Sequence, residues 1–336
     1  MTDPISSKFD SLVNEITVIG LEYHLTSLDD HVQANIPYVK KSIKDLPPPT
    51  SDTGIVISAG PSLQRQNSLQ KIVDSGYSKI TISTDGSYIA SIKKGIVPEY
   101  VLTLDPHPTR IVRWFGDPDI QKNLENDDYF ERQDLNVDFR TNTLKQNEEN
   151  IRIVNENAGK TKAIVATTVH PSVTKRLIEA GFDIYWWHPL VDDPNKPDSL
   201  TRNFYQKIKL PCLNTGGTVG TTSWLFAELI LKLKNIAVIG MDYGYYDDLP
   251  IEKTQTYYEL VMKEGKEGVE QYFVPHKNSL TGQGFYIDPT YYWYRRNFYE
   301  LLERSEATLI NCTEGGTLEH PQIKNINFTE FLTQHK

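Results

Sequence analysis

The chain has 336 residues, 24% of them charged and 38% hydrophobic, and its 35 Lys and Arg against 44 Asp and Glu give a formal net charge of −9. That length buries a substantial core and fits one large α/β domain with additions, or two modest domains. The acidic balance excludes broad, sequence-independent nucleic-acid binding, yet it is compatible with a local basic cleft for a phosphorylated small molecule.

The amino terminus, "MTDPISSKFDSLVNE", is polar and lacks the apolar centre of a signal peptide. The most apolar stretch, "WLFAELILKLKNIAVIG", is interrupted by Glu228, Lys232 and Lys234, so no membrane span is expected and the chain reads as cytoplasmic. Cys212 and Cys312 are the only cysteines and have no CxxC or Cys/His spacing. Neither a disulfide framework nor a structural zinc site is expected.

Residues 1–48 read as a helical N-terminal extension that "DLPPPTSDTG" brings to a sharp stop. Residues 49–325 form the main domain, and 326–336 a tail. Within the main domain, short apolar runs alternate with helix-like segments: "GIVISA", "SLQKIVDSG", "KITIST", "SYIASIKKGI" and "YVLTLDP". Strand and helix in alternation need crossover connections, so the expected fold is α/β, a Rossmann-like, mostly parallel sheet flanked by helices. The polar residues of about 116–160 read as a helical or loop insertion over the rim of the sheet. Alternation resumes at "KAIVATTVHPS" and runs through "DIYWWHP", "TVGTTSWLFAELILKLK" and "NIAVIGMDYG" to "ATLINCTEGG". The Tyr-rich stretch of about 243–290 reads as a lid-like insertion or a small helical subdomain.

In open α/β sheets ligands bind beyond the carboxyl ends of the strands. That rule gathers Gly60, Pro61 and Ser62 after the first strand, Asp85 and Gly86 after the second, Asp105 after the third, His170 after the fourth and Asp242 after "IAVIGM". His188 and Thr313-Glu314-Gly315-Gly316 are candidates to join them. Each is an ordinary turn when taken alone; their coincidence points to a crevice for an anionic ligand. Gly216, Gly217 and Thr218 precede a strongly apolar helix, whose N-terminal amides suit a second anionic group. The segment is neither G-x-G-x-x-G after a strand nor a P-loop, so an ordinary dinucleotide fold or P-loop kinase is disfavoured. His170 and His188 each precede a proline and are candidate general bases, with a hydrogen-bonded core histidine as the equal alternative. Tyr294 and Arg295 are candidates to clamp phosphate, although most aromatics around them read as packing.

Four segments, "GIVISAGPSL", "STDGSYIASIKKGIVPEYVLTLDP", "NTGGTVGTTSWLFAELILKLKNIAVIGMDYGY" and "NCTEGG", resemble in order and spacing the blocks of the MptE-like domain. That family includes archaeal 6-hydroxymethylpterin diphosphokinases and the central domain of Maf flagellin glycosyltransferases, whose core is similar to sialyltransferases. The resemblance implies a Rossmann-like fold and a nucleotide-dependent transferase. The leading expectation is a glycosyltransferase using a CMP-activated nonulosonic sugar on a protein or glycan hydroxyl, with no metal and no tightly bound cofactor. In it Gly60, Pro61, Ser62, Asp85, Gly86, Gly216, Gly217, Thr218 and Asp242 line the nucleotide, Asp105 sits at the next strand end, and His170 or His188 takes the acceptor's proton. The alternative is a diphosphokinase using ATP and Mg2+, the metal held by Asp85, Asp105 or Asp242. A non-catalytic nucleotide-binding protein is the third reading.

Overall fold

A computed structural model describes residue 9 and residues 27–124, 137–254, 256–257, 260–261 and 265–335. Most of residues 1–26 therefore lie outside the described residues, as do the centre of the 116–160 insertion and a few positions between 255 and 264. The strands are β1 (Thr53–Ile57), β2 (Ile80–Thr84), β3 (Tyr100–Thr103), β4 (Lys162–Ala166), β5 (Asp183–Leu190) and β6 (Cys212–Asn214), followed by β7 (Asn235–Ile239), β8 (Tyr245–Tyr246), β9 (Val274–Lys277), β10 (Gly284–Ile287), β11 (Thr308–Asn311) and β12 (Lys324–Asn325).

Every residue of β1, β2 and β3 is buried, the signature of parallel strands covered on both faces. Among the described residues nine strands form one sheet in the order β12-β11-β7-β1-β2-β3-β4-β5-β6, and each neighbouring pair is parallel. The chain starts in the middle at β1, moves outward to β6, then crosses back to place β7 on the other side of β1. The order therefore reverses between β1 and β7, the position at which open α/β sheets characteristically bind ligands.

Side chains alternate across β1. Ile55 and Ile57 pack with Leu69, Ile72, Phe328 and Phe331 of the helices Ser68–Ser75 and Phe328–Gln334, whereas Val56 belongs to the core on the other face, with Trp224. Trp224 lies on the crossover helix Val219–Leu225, which runs on into a π-helical turn at Phe226–Ile230. Among the described residues no helix is long and apolar enough to cross a membrane.

One expectation needs correction, that of a helical subdomain at 243–290. In its described part, from residue 27 on, the N-terminal extension is a helix, 27–35, followed by short 3-10 turns at Ile36–Tyr38 and Ile43–Asp45, with Ser42 bridging to Trp186 of β5. The described part of the 116–160 insertion is dominated by the helix Val137–Asn157; it packs beside the helix Asp85–Lys93 on the flank of the sheet, with Val154 in the core. The 243–290 insertion is not a helical subdomain, because β8, β10 and β9 pair antiparallel as a second sheet. It leads into the helix Pro289–Leu302, started by the Asp288 cap and Pro289.

Helix 27–35 is fastened to the sheet by one fully buried amide. Asn35 Nδ2 donates to Thr167 O at 2.9 Å and Val169 O at 2.8 Å, and its Oδ1 accepts from Thr174 Oγ1 at 2.8 Å. An Asn35→Leu side chain fills similar space but strands these groups without water. It is expected to lower the unfolding free energy by about 2–4 kcal/mol. Urea unfolding checks this, and a loss below about 1 kcal/mol would show that the amide does not hold the helix.

Candidate functional site

At the point of reversal β1 and β7 continue to pair beyond their ends, with Ser58 N donating to Ile239 O at 2.9 Å and Gly60 N to Gly240 O at 2.8 Å. The chain then turns through Pro61 into the short helix Ser62–Arg65. The turn does hold an anion, and that anion belongs to the protein. Asp242 Oδ2 accepts from the Ser62 amide at 3.1 Å and the Ser62 hydroxyl at 2.8 Å. A Cβ on residue 60 would overlap the Asp242 carboxylate and stand 2.5 Å from Gly240 O, so glycine is needed here for close approach to β7. The backbone at Gly60 does not take a positive φ.

The loop after β11 closes over this pairing. Thr317 N donates to Asp242 O at 2.8 Å, and its hydroxyl donates to Tyr243 O at 2.8 Å. Tyr243 takes an uncommon left-handed conformation with φ 47°, and its hydroxyl lies 2.6 Å from Thr221 Oγ1. A Cβ on Gly315 would come within 2.7 Å of Tyr246 OH. Burial pushes the Asp242 carboxyl up to about 6, against the pull of the Ser62 hydroxyl and amide. Asp242 Oδ1, Tyr246 OH and Thr313 Oγ1 are buried without a hydrogen-bond partner.

The exits of β2, β3 and β4 form the adjoining part of the rim. Asp85 opens the helix Asp85–Lys93 and is 1% exposed; its Oδ1 accepts from Gly86 N at 2.8 Å, and its Oδ2 has no partner. Burial pushes this carboxyl up to about 7, opposed by the Thr103 hydroxyl dipole and the Gly86 amide and reinforced by the charge of Asp105. Burial also disfavours ionisation of Asp105, but its ion pair with Arg110 and the His107 amide at 2.8 Å outweigh it and hold that carboxyl below the usual range. Ser58 Oγ and Thr103 Oγ1 are likewise buried and unpartnered. Buried polar atoms in native proteins almost always have partners, so this concentration of exceptions along the strand exits marks a polar site for a ligand or ordered water.

His170 sits at the exit of β4 and caps the helix Pro171–Ala180. Its Nδ1 accepts from Ser172 N at 3.2 Å and lies 2.8 Å from Ser172 Oγ, and the ring meets His31 edge to face at 5.0 Å. Burial, with the neighbouring His31 and His107, lowers its pKa to about 4. His188 is elsewhere, within β5 and fully buried, with Nε2 donating to Ile208 O at 2.9 Å and Nδ1 accepting from Thr167 Oγ1 at 2.7 Å. Of the two sequence readings, His188 takes that of the satisfied core histidine.

The glycine loop is also internally engaged. Gly216 N donates to Asn214 Oδ1 at 2.9 Å and Gly217 N to Thr215 Oγ1 at 3.2 Å, while the Thr218 side chain caps the following helix by accepting from Thr221 N at 3.0 Å. A Cβ on Gly217 would collide with Trp293 and Tyr294, so the glycine admits the helix Pro289–Leu302 against the loop. Arg295 is 4% exposed and donates to Thr317 O at 3.1 Å, tying that helix to the loop after β11. The structure thus gathers Ser62 with Asp242, and Asp85 with Asp105, while Gly216 and Gly217 lie against the helix Pro289–Leu302 and Arg295 is bonded to Thr317. Among the described residues, no three His, Cys, Asp or Glu side chains are grouped to hold a metal ion.

Two outcomes follow from the Asp242 pairing. Gly60→Val is expected to lower stability by at least about 2 kcal/mol, since the clash is partly with backbone that cannot swing aside; a Gly60→Val variant with a wild-type melting temperature would contradict the close approach. The second concerns pH. Asp242 holds its proton more tightly folded than unfolded, so its contribution to stability falls as pH rises from about 4 to about 6 and stays low above that. Asp242→Asn keeps an oxygen for Ser62 and removes the charge. Relative to wild type it is expected to gain on the order of 2 kcal/mol across that window. Denaturant titrations at pH 4 and pH 7.5 measure the difference, and a constant offset would show that Asp242 is not shifted.

The family described as "6-hydroxymethylpterin diphosphokinase MptE-like" matches residues 25–115, which carry β1 to β3 and their exits. No curated protein matches the chain. Among solved structures, a MAf glycosyltransferase from Magnetospirillum magneticum AMB-1 superposes with a TM-score of 0.55 at 15% identity over 90% of this chain. The chain spans 38% of the length of that protein. Residues 25–115 thus match the MptE-like family, and over 90% of its length the chain is similar in fold to that MAf glycosyltransferase.

Proposed function

We propose that the chain is a nucleotide-dependent glycosyltransferase that takes a CMP-activated nonulosonic sugar and transfers it to a hydroxyl of a protein or glycan. The observation that carries this reading is the run of buried, unpartnered polar atoms, Ser58 Oγ, Asp85 Oδ2 and Thr103 Oγ1, along adjacent exits of a parallel sheet beside its point of reversal. Of these, the Ser58 and Thr103 hydroxyls suit the ribose hydroxyls and phosphate oxygens of a nucleotide, since a hydroxyl both donates and accepts. The Ser62 amide and hydroxyl are already engaged by Asp242, so the phosphate is assigned to the β2–β4 side of the rim, where Arg110 supplies positive charge. The fold shared with a glycosyltransferase supports transfer of a sugar.

A second reading, diphosphate transfer from ATP, is favoured by the description of the family that matches residues 25–115. It needs carboxylates that converge on Mg2+ and bridge phosphate oxygens. Asp105 is paired with Arg110, and Asp242 with Ser62. The arrangement therefore favours the first reading.

Calorimetric titration with CMP, UDP, GTP and ATP, with and without Mg2+, separates the two. The expected result is CMP binding that a chelator does not change, weakened at least about tenfold in Arg110→Ala through loss of a charge-assisted contact. ATP binding that requires Mg2+, with no affinity for CMP, would overturn the proposal in favour of the second reading.

A further inference from the structure

The sequence points to histidine as the proton acceptor, and the hydrogen bonds at the strand exits argue otherwise. His188 has both ring nitrogens engaged in the core. His170 turns on the placement of one proton. The Ser172 hydroxyl has two partners to choose from, His170 Nδ1 at 2.8 Å and Pro108 O at 2.9 Å, and it rotates freely between them. The Ser172 amide has no such freedom, and its N–H points at His170 Nδ1 from 3.2 Å. A proton on Nδ1 would meet that N–H head on and undo the helix cap, so the ring is held neutral with its hydrogen on Nε2. In this form His170 is a hydrogen-bond donor with no basic nitrogen to offer.

Asp85 has the complementary arrangement. Oδ1 is satisfied by the Gly86 amide, whereas Oδ2 is buried without a partner of hydrogen-bonding geometry, the Thr103 hydroxyl acting on the carboxyl from nearby. It stands at the exit of β2, His170 at the exit of β4, and the loop Asp105–Pro108 from β3 runs between them, joined to the His170 side through Ser172 and Pro108. The charged groups acting on Asp85 are Asp105 and Arg110; those acting on His170 are His31 and His107. The burial that keeps Asp85 protonated up to about pH 7 makes it a strong acceptor at neutral pH, and the same effect keeps His170 uncharged.

We infer that Asp85 is the proton acceptor of this site and that His170, through Nε2–H, is a donor to an anionic oxygen of the bound nucleotide. The assignment rests on the glycosyl-transfer reading. In that reaction the acceptor O–H bond breaks and its proton passes to Asp85 Oδ2 as the oxygen bonds to the anomeric carbon. The bond from that carbon to the phosphate oxygen breaks, its electron pair leaves on the phosphate, and His170 donates a hydrogen bond to the charge that develops there.

Nitrogen-15 NMR of the histidines in the intact chain, with no nucleotide added, tests the His170 half independently of any activity. The expected spectrum shows a proton on Nε2, a bare Nδ1 and no titration between pH 5 and pH 8. A proton on Nδ1, or a midpoint near 6.5, would overturn the inference even if CMP binds. Kinetics with the CMP-sugar donor and CMP calorimetry then test the division of roles. Asp85→Asn is expected to bind CMP within about threefold of wild type, to lose at least about 100-fold in kcat, and to lose the acidic limb of the kcat/KM profile. His170→Asn keeps an oxygen to cap Ser172 and so remains folded; it is expected to weaken CMP about tenfold while that limb persists. The reverse pattern, with the limb lost in His170→Asn and kept in Asp85→Asn, would return the base to histidine. If wild type binds no CMP at all, the glycosyl-transfer reading fails and Asp85 loses its role with it; the spectrum still decides the state of His170.

Discussion

A carboxylate lodged between two strand ends holds the rim of this sheet together. Asp242, at the exit of β7, reaches across the point of reversal to the amide and hydroxyl of Ser62 at the exit of β1. Gly60 must be bare for the approach, Gly316 must be bare where its loop crosses the Asp242 backbone, and Tyr243 accepts a left-handed backbone beside it. Three loops from β1, β7 and β11 are thus packed around one buried acid. Removing its charge relieves a desolvation cost, but removing its oxygen would leave Ser62 unsatisfied, so the two effects separate on substitution.

That arrangement decides where another anion can go. Negative charge next to Asp242 would face an acid already short of partners, whereas the exits of β2 to β4 pair their second acid, Asp105, with Arg110 and bring three imidazoles, His31, His107 and His170, nearby. A site built this way is polar, partly buried and nearly balanced in charge. Small changes in protonation then have large effects, because the low local dielectric strengthens each interaction that survives.

The strands were legible because each is a short, β-branched or apolar run that the sheet buries on both sides; "GIVI", "KITIST" and "NIAVIG" leave few other solutions. Polar residues that end such runs were legible as rim residues for the same reason, and Asp85, Asp105, His170 and Asp242 all stand at exits. Ser58 and Thr103 were passed over, although a lone hydroxyl closing an apolar strand is the signal that marks them. Arg110 and His31 carry no such local mark, and only the folded chain brings them to the exits of β3 and β4. The second sheet was missed because β8 has only two residues and its partner β10 lies far along the chain.

The sequence by itself determined the parallel sheet, its direction of use and the set of polar residues at its edge, since these depend on local periodicity and on the burial each run requires. The division of labour among those residues came only from the tertiary structure. Gly60 and Ser62 read as the lining of a crevice for an anionic ligand until a carboxylate 180 residues away is seen to take the Ser62 amide. His170 and His188 read alike, each a histidine before a proline, until one is found walled into β5 and the other capping a helix. The reason is physical: a side chain's type is written locally, but its protonation state and free hydrogen-bonding capacity are set by neighbours that the fold delivers from distant parts of the chain.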